Sequence, residues 1–163
     1  MRHSILLAVL FFPVALFSQQ NNIVVRLYAF YEQRMPGTIR VDDNGQPEQK
    51  GPTLVNLIYA ETSSNKIEWR WAWKNGKTFS LSAALITTTP FEVGEKKSNK
   101  EKIVITPAKG NQLWQLELQP AEKNKMAPSR TKKNEILLEG YYRGKMFLKR
   151  INKQVELFVP DAV

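Results

Sequence analysis

Short runs of β-branched, aromatic and leucine residues recur along this chain, and clusters of glycine, proline and asparagine separate them. No long stretch shows the 3.6-residue period of an amphipathic helix, whereas several runs alternate between apolar and polar residues as strands do. The sequence therefore predicts an all-β fold. The predicted strands lie at 23–32, 38–42, 53–61, 66–74, 78–87, 101–106, 112–119, 134–142, 145–151 and 154–159.

Short strands at regular spacing are typical of an antiparallel β-sandwich, which is the fold class that we predict. The alternative is a closed barrel of about eight to ten strands that resembles the lipocalins, although the early Gly-x-Trp signature of that family is missing because the first tryptophan is Trp69. The run 53–61 is apolar on both faces and predicts a central strand covered on both sides. The run 113–119 alternates and predicts one buried and one solvated face.

The N-terminus has the pattern of a secretory signal peptide. A basic residue precedes an apolar run at 5–17, and a polar segment follows Ser18. The run is shorter than the roughly 20 residues that a membrane-spanning helix needs, so we expect no permanent anchor. We interpret 1–18 as a cleaved bacterial signal peptide and 19–163 as a single periplasmic or extracellular domain. The alternative is a buried N-terminal strand or helix of a cytosolic protein.

The residue types limit the chemistry that this chain can perform. There is no cysteine, and the only histidine, His3, lies in the predicted leader. A mature chain without either residue type excludes Ser-His-Asp and Cys-His nucleophilic sites and zinc sites of the usual kind. We expect no cofactor, no metal and no catalytic residue. Any catalysis would have to use carboxylates, lysines or tyrosines with shifted pKa values. For a carboxylate-dependent hydrolase, Glu68, Glu117 and Glu139 lie inside strands and are the first candidates.

The chain is strongly basic, with 24 Lys+Arg against 15 Asp+Glu and a net charge of +9. Loss of Arg2 with the leader takes the net charge to +8. An exported basic protein meets anionic polysaccharide or acidic envelope proteins, and its location argues against nucleic acid. Two turn-rich segments, 95–102 and 122–134, carry much of the charge. Their candidate ligand-binding cations are Lys96, Lys97, Lys132 and Lys133.

Three tryptophans recur at alternate positions of one predicted strand, namely Trp69, Trp71 and Trp73. Alternate residues of a strand share a face, so the stripe is either an aromatic platform for a ligand or part of the core. The register across the turn at 75–76 separates the two interpretations. A two-residue turn places Trp71 opposite Ser80 on a polar face.

A three-residue loop with a glycine bulge shifts the pairing by one and places Trp71 opposite Phe79. Only that register separates an apolar face from a polar one, and register generally follows such a separation. We therefore favour the three-residue loop and a core stripe, and we predict that Trp69 and Trp71 are mostly buried. The exposed platform stays the alternative.

Three further segments could contribute to binding. The hairpin tip that holds Tyr141, Tyr142, Arg143 and Lys145 gathers aromatic and cationic groups. The segment 42–48 loosely resembles a calcium loop, but an ordinary Asx or Asn-Gly turn explains it without a metal. The short run 154–159 ends at a proline and is typical of an edge strand that could pair with a partner's sheet.

These observations predict a non-catalytic, exported interaction domain that binds an envelope protein or an anionic polysaccharide. One alternative is a small-ligand carrier with an apolar pocket inside a barrel. A carboxylate-dependent hydrolase is the other alternative. Salt-sensitive binding would distinguish the first function, because exposed charge contacts are screened within about 8 Å at physiological ionic strength.

Overall fold

The computed structural model describes residues 23–34, 42–46 and 51–160. These residues form strands and loops without a helix, which confirms the all-β prediction. The predicted leader at 1–18, and positions 38–41 of the strand predicted at 38–42, lie outside the described residues. The strands are β1 Val24–Arg34, β2 Thr53–Thr62, β3 Ile67–Lys74, β4 Lys77–Ile86, β5 Phe91–Glu95, β6 Lys102–Ile105, β7 Gln112–Pro120, β8 Ile136–Tyr142, β9 Lys145–Ile151 and β10 Val155–Glu156.

Eight of these strands form one sheet in the order β10-β1-β2-β7-β4-β3-β8-β9, and β5 and β6 form a separate two-stranded sheet. Neighbours in the large sheet are antiparallel except β1 and β10, which are parallel. The large sheet curls, because Lys74 Nζ on β3 lies 2.6 Å from Asn56 Oδ1 on β2 although β7 and β4 separate these strands in the sheet order. The result is a half-barrel, compatible with a sandwich or a barrel-like fold.

The concave side of the curled sheet holds the main core. It contains both small and large apolar side chains, which fill the interior. Buried members come from β1, β2, β3, β7, β8 and β9 and from the residues at the start of β1. They are Ile23, Val24, Ala29, Ile58, Ala60, Ile67, Trp69, Ala72, Trp114, Leu116, Ile136, Leu138 and Ile151.

A second core lies on the convex side of β1, β2 and β7, under the β5–β6 hairpin. Its buried residues are Phe30, Tyr59, Ile105, Leu113 and Leu157. Strand β2 is therefore covered on both sides, as its sequence predicts. In β7, Trp114 and Leu116 are buried and the polar side chains are half-buried or exposed, as predicted. Leu113 on the opposite face is also buried, so the solvated face expected over 113–119 does not extend to its first residue.

The turn between β3 and β4 is the two-residue type, so the favoured three-residue register is wrong. Asn75 and Gly76 both have positive φ, at 51° and 74°, as a type I′ turn requires. The observed pairs are Trp71 with Ser80 and Trp73 with Thr78. A register that pairs apolar with polar residues is tolerated at this turn, because the side chains of β3 switch to the opposite face of the sheet further along the strand.

A β-bulge at Arg70 causes that change of face. Strand β8 pairs with Trp69 through Gly140 and with Trp71 through Glu139, and this leaves Arg70 as the extra residue. Because a bulge inserts one residue, the side chains on its two sides point to opposite faces. The three tryptophans therefore do not share one face, contrary to the sequence interpretation.

Strands β3 and β4 separate beyond this point. Their pairing stops at Trp71 and Ser80, although β4 continues to Ile86 alongside β7. Among the described residues, no strand pairs with the β3-facing edge of β4 from Leu81 onward, and the side chains at 82–85 are exposed. The sheet thus has a split in its middle.

The C-terminal strand lies at the sheet edge as predicted, but this edge is covered. Strand β10 pairs with β1 on one side, and the 95–97 segment bonds to it on the other. The amide N–H of Lys97 donates to the carbonyl of Glu156, and that of Phe158 donates to the carbonyl of Glu95. The free edge expected at 154–159 is therefore not available to a partner.

Candidate functional site

One open end of the half-barrel forms a polar cavity of about 550 Å³, which we call the mouth. Strands β1, β2 and β3, the segment before β8 and the segment after β9 supply its walls. Apart from Leu54, the lining side chains are polar: Tyr31, Gln33, Lys74, Asn134, Asn152, Lys153 and Gln154. Amides dominate this lining, and each offers both a hydrogen-bond donor and an acceptor.

Lys74 is the notable residue of the mouth. It is the last residue of β3 and pairs with Lys77 and Ile136 on the neighbouring strands, a register that turns its side chain to the concave side. Only 9% of the residue is exposed. Burial lowers the pKa of Lys74 below its usual value of 10.5. Lysine is rarely buried to this extent unless it is paired.

The partners of Lys74 are neutral. Its ammonium donates to Asn56 Oδ1 at 2.6 Å and, more weakly, to Gln154 Oε1 at 3.4 Å. Among residues 23–34, 42–46 and 51–160, no carboxylate forms an ion pair with it. Two of its three N–H groups are thus bound to neutral oxygens, and a buried positive charge remains beside an open cavity. This arrangement suits an anionic ligand.

The carboxylate that Tyr31 contacts on the mouth wall, that of Glu156, already has a cationic partner. The Tyr31 hydroxyl donates to Glu156 Oε2 at 3.2 Å, and Lys97 Nζ lies 2.7 Å from Glu156 Oε1. The bond from Lys97 lowers the pKa of Glu156, and burial together with Glu156 raises the pKa of Tyr31. Of the predicted binding cations, Lys97 is therefore engaged, and Lys96 similarly pairs with Glu101.

A second cavity of about 630 Å³ adjoins the mouth, and we call it the basic groove. Asn152 lines both cavities. The groove is lined by Arg130, Lys132, Lys133, Glu135, Arg150 and Asn152. The predicted cations Lys132 and Lys133 lie here.

The groove is held together by Glu135, which is buried. Its Oε2 accepts from the Lys132 amide at 2.8 Å and from Arg150 Nη1 at 2.9 Å. These bonds lower the pKa of Glu135. Arg150 also donates to the carbonyl of Arg130 at 3.1 Å and to the Ser129 hydroxyl. Arg150 is therefore a structural cation.

Lys125 covers the outer face of β3, and it is not among the residues predicted from the sequence. Lys125 Nζ lies 3.1 Å from both carboxylate oxygens of Glu139 and within 5.4 and 5.6 Å of the ring centres of Trp71 and Trp73. The indole N–H of Trp73 donates to the Lys125 carbonyl at 2.8 Å. Nothing in the sequence singled out Lys125 among the lysines of its loop. We call Lys125, Glu139, Trp71 and Trp73 the outer clamp.

The tryptophans divide between core and clamp. Trp69 is buried, as predicted, and its ring meets Phe147 edge-on at 5.6 Å over Gly140. Trp73 is buried under the 122–134 loop. Trp71 is only partly buried, so the prediction that Trp71 is mostly buried is too strong. The three rings do not form a continuous platform.

The hairpin tip lies at the far end of β8 from the mouth. Tyr142 packs against the concave core, whereas Tyr141 lies under the Arg70 guanidinium at 4.4 Å. Arg143 lies 5.2 Å from the Tyr142 ring, and Lys145 pairs with Tyr142 across a two-residue turn. The tip therefore does not join the site at Lys74.

The candidate carboxylates do not gather either. Glu139 belongs to the outer clamp, Glu68 pairs with Arg70 at 2.8 Å, and Glu117 accepts from Gln115 at 3.4 Å. The carboxylate of Asp42 accepts the amides of Asn44 and Gln46, which makes that segment an Asx-type turn.

Comparison with protein families, with curated proteins and with solved structures finds no match to this chain. Within the described ranges, no helix has the length and apolar character needed to cross a membrane.

Proposed function

We propose that this chain is a non-catalytic binding domain whose ligand is an acidic saccharide. A carboxylate of the ligand enters the mouth and binds the ammonium of Lys74. One observation carries the proposal, namely that Lys74 is buried beside an open cavity and that its partners among the described residues are all neutral. A ligand carboxylate would supply the missing negative charge and restore a charge-assisted hydrogen bond.

The lining supports a saccharide over a lipid or another apolar ligand. Asn134, Asn152 and Gln154 can donate to and accept from hydroxyl groups. The concave side below them is filled by core side chains. An apolar ligand would gain little from this polar lining, so the proposal favours acidic saccharide over the small-ligand carrier.

The proposed setting is the periplasm or the cell exterior. The apolar run at 5–17 supports export, and the net charge of +9 supports an anionic partner. An acidic envelope protein is the second candidate partner, since the cations Lys132 and Lys133 of the groove would attract acidic side chains as well.

The test is titration calorimetry of the mature protein with D-galacturonate and D-glucuronate, and with the neutral sugars galactose and glucose. We expect binding of an acidic sugar, no binding of the neutral sugars, and at least a tenfold loss of affinity in Lys74→Met. The control is Lys77→Met, which removes the exposed lysine that pairs with Lys74 across the sheet. Equal affinity of Lys74→Met and the parent protein, or no acidic sugar bound by the parent, would sink the proposal.

A further inference from the structure

We propose that the ligand is an acidic polysaccharide bound by its end. Its terminal acidic sugar occupies the mouth, and the following acidic sugars lie along the basic groove. This inference rests on the proposed function and adds the length and the orientation of the ligand.

The mouth is closed at its inner end. It therefore admits the end of a polysaccharide and not the middle of one. Ile136, the neighbour of Lys74 on β8, is fully buried. In the layer beneath, Ile58, Ala72 and Leu138 each have 0% exposure. A polymer cannot thread through this packed interior, so a sugar that reaches Lys74 from the mouth must be terminal or close to terminal.

The mouth and the groove meet at Asn152, which lines both cavities. Ile136 belongs to the concave core, whereas its neighbour Glu135 and Arg150 of β9 line the groove, so the groove lies on the outer side of β8 and β9. A polymer whose end is held at Lys74 therefore reaches the groove by passing around Asn152 at this end of the sheet.

The groove carries exposed cations, of which Lys132 also lies close enough to Glu135 to help lower the pKa of that carboxylate. Within the part of the chain that the structure describes, Arg130, Lys132 and Lys133 form no ion pair through their side chains. All three are exposed. Each exposed contact is weak and screened by salt, so the affinity accumulates only when several anionic groups are linked in one ligand.

The two sites thus have different roles on one ligand. Lys74 is buried and recognises a single carboxylate, whereas the groove responds to the number of carboxylates that follow. Binding of a polyanion to such cations releases its counterions and makes the affinity fall steeply with salt. The groove should therefore set the salt dependence, and Lys74 should set the requirement for a chain end.

The experiment is a length series of oligogalacturonates, from the monosaccharide to the hexasaccharide, titrated at low and moderate salt. For the parent protein we expect at least a tenfold gain in affinity with length, lost as salt rises. In the double variant Lys132→Ser with Lys133→Ser, the gain should disappear while monosaccharide affinity stays the same. Lys74→Met should weaken every length. The matched control is Lys123→Ser with Lys109→Ser, two exposed lysines outside the mouth and the groove.

Stoichiometry on a long polygalacturonate tests the orientation. End-on binding predicts a number of bound proteins that follows the number of chain ends, so cutting each polymer in two doubles it. A number that follows total sugar mass overturns the inference, as does an affinity independent of length. In both cases binding of the monosaccharide that depends on Lys74 would leave the proposed function standing. Absence of binding at every length overturns both.

Discussion

The side chains of Lys74 and Lys125 lie on opposite faces of β3, and their ammonium groups differ in burial and in the charge of their partners. Lys125 is half-exposed, but its ammonium lies on the buried carboxylate of Glu139 between two indole rings. Lys74 is buried, and its ammonium contacts two neutral amide oxygens. The first cation has a charged partner in the folded chain. The second has none among the described residues.

The difference separates a structural role from a binding role. Removing the cation from an ion pair with one buried member destabilises the fold, because the carboxylate is left without compensation. A buried cation with neutral partners destabilises the fold by its desolvation and gains most when an anion arrives. The outer clamp is thus complete without a ligand, and the mouth is not.

The largest effect on stability is expected at the clamp. Lys125→Met keeps the apolar stem but leaves Glu139, of whose side chain 2% is exposed, without its cation. Loss of one partner of a fully buried pair costs about 3–5 kcal/mol, and partial exposure of Lys125 reduces this to about 2 kcal/mol. Urea unfolding measures the free energy. A loss no larger than that of Lys123→Met would show that the clamp contributes nothing.

The opposite sign is expected at the mouth. Lys74→Met removes a desolvated charge while keeping a side chain of similar length, so we expect the free energy of unfolding at pH 7 to rise by about 1 kcal/mol. The same substitution weakens ligand binding at least tenfold in the proposal above. A destabilised Lys74→Met protein would mean that the bonds to Asn56 and Gln154 outweigh the desolvation, and the comparison between the two lysines would fail.

The difference between the parent and Lys74→Met should also depend on pH. Burial lowers the pKa of Lys74, so the folded state holds this proton less tightly than the unfolded state, whose pKa is near 10.5. The penalty is full below the folded pKa and fades as the pH rises from there towards 10.5. Thermal unfolding of both proteins between pH 7 and 10.5 should show the gap closing. A constant gap would rule out ionisation of Lys74 as its cause.

The smallest effect is expected at an ion pair without burial. Glu68 and Arg70 lie 2.8 Å apart, but more than half of each side chain is exposed. Exposed pairs contribute about 0–1 kcal/mol, so Glu68→Gln should change the free energy of unfolding by less than about 0.5 kcal/mol. Urea unfolding of this variant beside Lys125→Met isolates the contribution of burial. A loss as large as that of Lys125→Met would remove burial as the explanation.

The sequence predicts the strands well where alternation and turns are local. The positions of β2, β7 and β9 follow from their apolar patterns, and the two covered faces of β2 follow from its continuous apolar run. Strand β5 was missed, because Phe91–Glu95 is short, charged at two positions and interrupted by Gly94. Such a run looks like a loop until β6 pairs with it.

The site could not be predicted, because it depends on where β3 changes face. A bulge at Arg70 leaves no mark in residue type, since an exposed bulged position accepts many side chains. Without it, the rule that apolar residues share a face selects the wrong register. Because Lys74 precedes an Asn-Gly turn, the sequence then predicts an ordinary turn lysine at this position, although the residue is buried. Lys132 and Lys133 were found because surface charge needs no register.

The pairing of β1 with β10 affects the order in which the sheet can form. The amide of Leu157 donates to the carbonyl of Tyr31 at 2.9 Å, and Leu157 belongs to the same buried cluster as Phe30. Because β10 is the last of the described strands in the chain, this edge closes only after the other nine strands have been synthesised. Pairing between residues so far apart in sequence forms slowly, so we expect the β3–β4 and β8–β9 hairpins to form before the pairing of β1 with β10.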